Sequence, residues 1–349
     1  MEMKFKQEIG HINIPFKYQS GTVNIRRRNF LNSAMSLSLG ALSSAVFAQA
    51  SDFPSKPIRI VVPYTPGGAD TQMRSLGRGL IQRLGQQVVI ESVPGAGGII
   101  ASNQIKNSVP DGYTLYFTGT ATLTMLPVMR KDLTFGLSDF SPIGNITGTA
   151  GAVVVRPDPA WRDLREFVAW AKANPRKVNL GTAGAGTLTH IYGAAFQAMA
   201  DIQFTHIPFK GVADAVAAML AGNIDIVMGL PGVMINHIRA GKLRAIATFG
   251  GSRSEFLPDV PTLKESGIDF IDIARFGLFA PKGLPKMVQN KLALALEQEV
   301  KSQDFAALMN RNFTSVLYHS PDEYRIVLEE ESRHWSGLLN NPKFAEAMK

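Results

Sequence analysis

The chain of 349 residues contains no cysteine. That absence excludes disulfides, thiolate catalysis and cysteine-ligated metals, and it suits an oxidising compartment. Familiar catalytic and nucleotide patterns are missing too. There is no G-x-G-x-x-G, no Gly-Lys-Ser/Thr loop, no H-E-x-x-H and no G-x-S-x-G, so the spacings that serve dinucleotides, phosphates, zinc and an elbow serine are not met. A triad assembled only in space stays open. His190, His206 and His237 stand far apart, which argues against a metal, and no cofactor is expected. Charge of one sign is scarce. The 36 basic and 28 acidic side chains give +8, but residues 1–50 hold six of the basic and two of the acidic ones, leaving 30 against 26, a net +4. So small and evenly spread a surplus argues against nucleic acid as a partner. After residue 50 no apolar run reaches transmembrane length.

The N-terminus reads as an export signal. Arg26-Arg27-Arg28 precedes a modestly apolar run from Ala34 to Ala48, with small residues at Ala48 and Ala50. That is the order of a basic region, an apolar region and an A-x-A site, with cleavage expected after Ala50. Arg27-Arg28-Asn29-Phe30-Leu31 is similar to a twin-arginine export motif. Serines 33, 36, 38, 43 and 44 dilute the run and disfavour a membrane anchor. The long lead before it suggests a translation start near Val23, which N-terminal sequencing of the precursor tests. The mature protein is expected in the periplasm.

Beyond the leader, β-branched runs such as "PIRIVV" and "NIDIVMG" alternate with segments whose apolar residues recur at helical spacing, such as Met73, Leu76, Leu80 and Leu84. Alternation of this kind predicts α/β architecture with mostly parallel sheets. A length of 349 residues suits two domains. In open α/β sheets ligands lie beyond the carboxyl ends of strands, where helix N-termini point. Three turns rich in small residues have that position: Thr65–Asp70, Thr118–Thr122 and Thr182–Thr187. In "PYTPGGAD", Gly67 and Gly68 serve equally well as a tight corner or as a cradle of uncovered N–H groups for an anion. Asp70 reads as a first-turn helix cap before anything else. "GTAGAGTLTH" (181–190) suits close approach of backbone to a small anion, with Thr187 offering a hydroxyl.

Taken together, "FPSKPIRIVVPYTPGGADT", "ESVPGAGGIIASNQI", "PDGYTLYF", "DFSPIG", "GTAGAGTLTH", "IPFKGVADAVAAMLAGNIDIVM", "AGKLRAIA", "LPDVPTLKESG" and "GLFAPKGLP" resemble the extracytoplasmic solute receptors of tripartite tricarboxylate transporters, the Bug-type binding proteins. The resemblance runs from about Phe53 to Asn340. It implies a two-lobed periplasmic binding protein of the Venus-flytrap, type II-like kind. Such a protein is not an enzyme; it captures a small carboxylate or aromatic acid and delivers it to membrane permease subunits. The expected division is an export signal over 1–50, one lobe from 51–152 plus 275–349, and a second from 153–274, in a monomer. Carried over by motif, Tyr64, Thr65, Gly67, Gly68 and Asp70 match the first ligand loop, and Thr118 and Thr120 a second. Gly186, Thr187 and His190 match the loop of the other lobe, and Pro231 an approach to the cleft. Many relatives place tryptophan where this chain has Arg275. That departure suggests a bidentate contact from Arg275 to a second anionic group, with Phe276 and Tyr64 available for stacking. An exported sensor for a signalling partner, or a secreted hydrolase, are the alternative readings.

Overall fold

The computed structural model describes residues 53–65, 68–158 and 161–348. The expected leader, its cleavage point and Gly67 lie outside the described residues. Eleven strands form among them: β1 (Ile58–Val62), β2 (Val88–Ser92), β3 (Thr114–Gly119), β4 (Phe140–Thr149), β5 (Ala152–Val155), β6 (Val178–Thr182), β7 (Phe204–Pro208), β8 (Ile226–Gly229), β9 (Arg244–Thr248), β10 (Ala274–Pro281) and β11 (Val316–His319). The principal helices are α1 (Gly68–Leu84), α2 (Ile99–Lys106), α3 (Leu164–Ala173), α4 (Leu188–Ala200), α5 (Val212–Leu220), α6 (Lys286–Val300), α7 (Gln303–Arg311), α8 (Pro321–Leu339) and α9 (Pro342–Ala347).

Caps explain several of these boundaries. The Asp163 side chain accepts from the Glu166 N–H at the start of α3. Ser320 and Glu323 form a capping box ahead of α8, with Pro321 at its first position.

The strands make two sheets with one plan. The first has the order β2-β1-β3-β10-β4-β11, the second β7-β6-β8-β5-β9. In each, three parallel strands wound second-first-third meet an antiparallel strand, β10 or β5, and then a fifth strand, β4 or β9; the first sheet adds β11 beyond β4. Both sheets are therefore mixed. Alternation of strand and helix announces the parallel pairs; the antiparallel ones come from strands that arrive from the other sheet, which local pattern does not mark. The chain leaves the first sheet at Thr149, enters the second at Ala152, and returns at Ala274.

Alternate side chains of each strand go to opposite faces. Ile60 and Val62 join Met73, Leu76 and Leu80 of α1 in one core, while Val61 joins Tyr116, Phe279, Tyr324 and Leu328 on the other face. In β10, Leu278 belongs to the α1 side and Phe279 to the α8 side. The second sheet packs Val153, Val155 and Met228 against Phe167 of α3 and Tyr192 and Phe196 of α4. Helix α8 contributes to both sheets: Tyr324 and Leu328 lie in the first sheet's core, Trp335 and Leu338 in the second's.

Gly277 is where α8 comes closest to β10. A Cβ there would lie 2.3 Å from Tyr324 Oη and 2.5 Å from its Cε1, so only glycine lets the ring lie across the strand. Gly277→Ala is expected to cost about 1–3 kcal/mol of stability through overpacking. Urea denaturation checks this, and an unchanged midpoint would contradict it.

Candidate functional site

On the first sheet the site begins where β1 and β3 end. The Tyr64 hydroxyl accepts the Gly119 N–H at 2.9 Å and lies 3.4 Å from Thr118 Oγ1. Burial pushes this phenol up, against the opposing hydrogen bonds from Thr118 and Gly119, so it stays neutral. The ring stands edge-on to Phe276 at 6.0 Å. Thr118 is fully buried and 3.3 Å from Thr122 Oγ1. Tyr64 and Thr118 thus clasp the two strand ends together and back the Phe276 ring. Thr65 is exposed, and Gly68 opens α1.

Asp70, 2% exposed in the first turn of α1, accepts from Arg74 Nε at 2.8 Å and from Ser92 Oγ at 2.9 Å. Its negative charge is favourable at a helix N-terminus. The Ser92 bond also pins α1 to the end of β2, while the Arg74 bond stays within the helix.

On the second sheet the turn after β6 is held by its own side chains. Thr189 Oγ1 accepts from the Ala183 N–H at 2.8 Å, Thr182 Oγ1 from the Gly184 N–H at 3.2 Å, and Thr187 Oγ1 donates to the Gly184 carbonyl at 2.7 Å. Gly186, at φ +74°, directs its N–H to His190 Nδ1 at 3.1 Å. An L side chain rarely adopts that backbone conformation, which accounts for the glycine. His190, 3% exposed, stacks on His206 with centroids 4.1 Å apart, and His206 Nε2 lies 2.6 Å from Thr182 Oγ1. Burial, and then the neighbouring His206, pull His190 down to about 4. At neutral pH it is therefore an uncharged acceptor beneath the turn. The first N–H groups of α4 have no intrahelical partner, and the Thr187 side chain does not cap them.

Between the sheets lies a cleft of about 560 Å³. The start of α1 (Thr71, Gln72) and the start of α4 (Thr187, Leu188, Thr189) both border it, and Phe276 and Thr149 form part of the first sheet's side. Pro231 is buried in a tight turn, and its neighbours Leu230 and Gly232 line the space.

Of the residues expected from sequence, Thr187 and Phe276 border the cleft, with Tyr64 and Thr118 behind one and Gly186 and His190 behind the other. Thr120 and Arg275 are brought together elsewhere. The Thr120 N–H donates to the Arg275 carbonyl at 2.9 Å, and its Oγ1 donates to Glu331 Oε1 at 2.9 Å. Arg275 and Phe276 are consecutive in β10 and take opposite faces. The Arg275 guanidinium lies on the α8 side, within electrostatic reach of Asp272, Glu331 and His319.

Sequence reasoning missed Gln72, Thr149 and the segment Arg311–Thr314, all of which line the cleft. Gln72 follows the glycine turn by one step of helix. The Arg311–Thr314 segment reaches the cleft only through tertiary packing, so no local pattern marked it. A larger hollow of about 730 Å³, lined by Lys172, Arg176, Asp201, His206 and Lys343 among others, lies at the edge of the second sheet and shares only His206 with these turns. Among the described residues no group of three or more metal-ligating side chains occurs, and no helix is long and apolar enough to cross a membrane.

Comparison with known proteins places this geometry. The sequence profile of the tripartite tricarboxylate transporter family receptors matches residues 72–343. BugT of Bordetella pertussis is 31% identical over 302 residues, spanning 83% of this chain and 90% of BugT. A TctC solute-binding protein from Polaromonas superposes with a TM-score of 0.73 at 30% identity, covering 82% of this chain and 99% of that one. MatC from Rhodopseudomonas palustris, solved with malate bound, gives a TM-score of 0.71 at 26% identity, covering 82% of this chain and all of MatC. Because the profile takes in most of the chain, and relatives agree with it in sequence as well as in fold, this chain belongs to the tripartite tricarboxylate transporter family receptors, which are solute-binding proteins and not enzymes.

Proposed function

We propose that this protein is a periplasmic receptor that holds a small carboxylate in the cleft between its sheets and hands it to the permease subunits of a tripartite transporter. One observation carries the reading. The N-termini of α1 and α4 border the cleft from opposite sides, and no acidic side chain occurs among the described residues that line it. Uncovered N–H groups and the positive ends of two helices replace water around a carboxylate, while Phe276, Leu230 and Leu188 accept its apolar part.

Binding draws the sheets together about the crossings at Ala150–Gly151 and between Phe249 and Ile273, and the closed form is what the permease recognises. The lobes then comprise 51–152 with 275–349, and 153–274. Export with removal of residues 1–50 and action as a monomer complete the reading; mass spectrometry of the exported protein checks the cleavage point.

Thermal-shift titration of the mature chain with mono-, di- and aromatic carboxylates tests the receptor role, with malate as first probe because a 26% identical relative holds it. A true ligand at a hundredfold excess over its dissociation constant is expected to stabilise by about 2.7 kcal/mol. A flat response to every carboxylate would overturn the reading.

A further inference from the structure

Among the described residues that line the cleft, a single side chain carries charge, and it is Arg311, the last residue of α7. Resting on the receptor reading above, we propose that Arg311 determines specificity by binding a second anionic group of the ligand, so that the preferred ligand is a dicarboxylate with an apolar middle.

Three features support the role. First, the Arg311 side chain makes no hydrogen bond, ion pair or ring contact with any described residue. Nearby Arg239, by contrast, lies over the Phe313 ring at 4.9 Å. A basic residue at a helix C-terminus complements the dipole, but that leaves the hydrogen-bonding fork of the guanidinium unused.

Second, the segment that follows Arg311 is firmly built. The Asn312 N–H reaches the Met309 carbonyl at 3.0 Å, the Phe313 N–H the Asn310 carbonyl at 3.0 Å, and the Thr314 N–H the Met309 carbonyl at 3.0 Å. Phe313 is held at φ +52°, a left-handed conformation unusual for a bulky residue. Its ring is fixed at right angles to Phe256, at 5.8 Å. Ser315 Oγ donates to Glu255 at 2.7 Å. The backbone that presents Arg311 is therefore set before a ligand arrives.

Third, the cleft also offers apolar surface: Phe276, Leu230, Val233 and Phe313 line it together with the helix N-termini that suit the first carboxylate. The planar guanidinium fork fits the second one bidentately. Arg275, the residue expected to take this role, faces α8 instead.

The test compares matched acids: succinate with butyrate, adipate with hexanoate, and terephthalate with benzoate, by calorimetry on the mature chain. At least one diacid is expected to bind tenfold or more tightly than its partner. Arg311→Gln should erase that preference while changing monoacid affinity less than twofold, and Arg311→Lys should restore part of it. Unliganded melting temperatures establish that the variants fold. If diacids and monoacids bind equally, or if the preference survives Arg311→Gln, the inference is overturned and the receptor reading stands. If the preference disappears in Arg275→Gln instead, the inference is likewise overturned. If none of these acids binds, both fall.

Discussion

Replacing Glu331 by Gln is expected to flatten the loss of stability between about pH 4.5 and 8, and to leave the protein more stable than wild type at pH 8. Glu331 Oε1 accepts from Thr120, and Oε2 is enclosed without a hydrogen-bond partner. Asp272, 7% exposed and bonded to the Tyr192 hydroxyl at 2.5 Å, is a second carboxylate in the same cluster. One guanidinium, Arg275, serves both, and its Nε also lacks a partner. Two buried carboxylates around one cation balance only when one keeps its proton. Burial, and then the Asp272 charge, raise Glu331 to about 8.

The sign follows from linkage. An unfolded Glu releases its proton near pH 4.3, whereas the folded one holds it until about 8. Between those values the folded state binds more protons, so stability falls by about 1.4 kcal/mol per pH unit from this group, and levels off above pH 8. Gln keeps the shape without the charge. Near pH 4.5 the two proteins should be nearly equal; Asp272, also raised by burial, leaves a residual slope in both. Urea unfolding at pH 5, 6.5 and 8 measures this. An Glu331→Gln slope equal to that of wild type, or a loss at pH 8, would refute the assignment.

Trp335→Ala should cost about 3–5 kcal/mol. Trp335 is 1% exposed and sits in the second sheet's core beside Leu338 and Phe344, although the helix that carries it also packs on the first sheet. Its ring is edge-on to His334 at 5.5 Å, and its indole N–H has no partner. The cost is thus one of lost volume and apolar contact rather than of a broken hydrogen bond. Truncating Phe344, also fully buried, tests the same anchorage from α9. Chemical denaturation of both variants gives the magnitude; a loss below 1 kcal/mol for Trp335→Ala would show that α8 is not held by this residue.

Much of the architecture is legible in sequence because it is local. "IRIVV" and the amphipathic pattern after the glycine pair become β1 and α1; "KVNLGTAGAGT" becomes β6 and the turn before α4. Family resemblance added the two-lobed receptor. What escaped is of three physical kinds. Antiparallel partners such as β5 and β10 depend on where the chain re-enters a sheet. Side-chain direction depends on register: one step along β10 sends Phe276 to the cleft and Arg275 to α8, and a string of letters does not show which. Contributions from distant segments, Arg311–Thr314 above all, depend on packing. For His190, which the family motif assigns to the ligand loop, the structure adds what sequence does not show: its Nδ1 accepts from the turn that it supports.

Helix α8 has a mechanical meaning for the closing motion proposed above. Two strands of chain joining two bodies define an axle, and about an axle a body turns freely. A rod embedded at one end in each body removes that freedom: it must flex, or slide in its seat, whenever the jaws move. Rigid helices resist flexing, and tightly packed seats move by small sliding steps. In the closure proposed above, the angle of swing is therefore set by the compliance of this one helix.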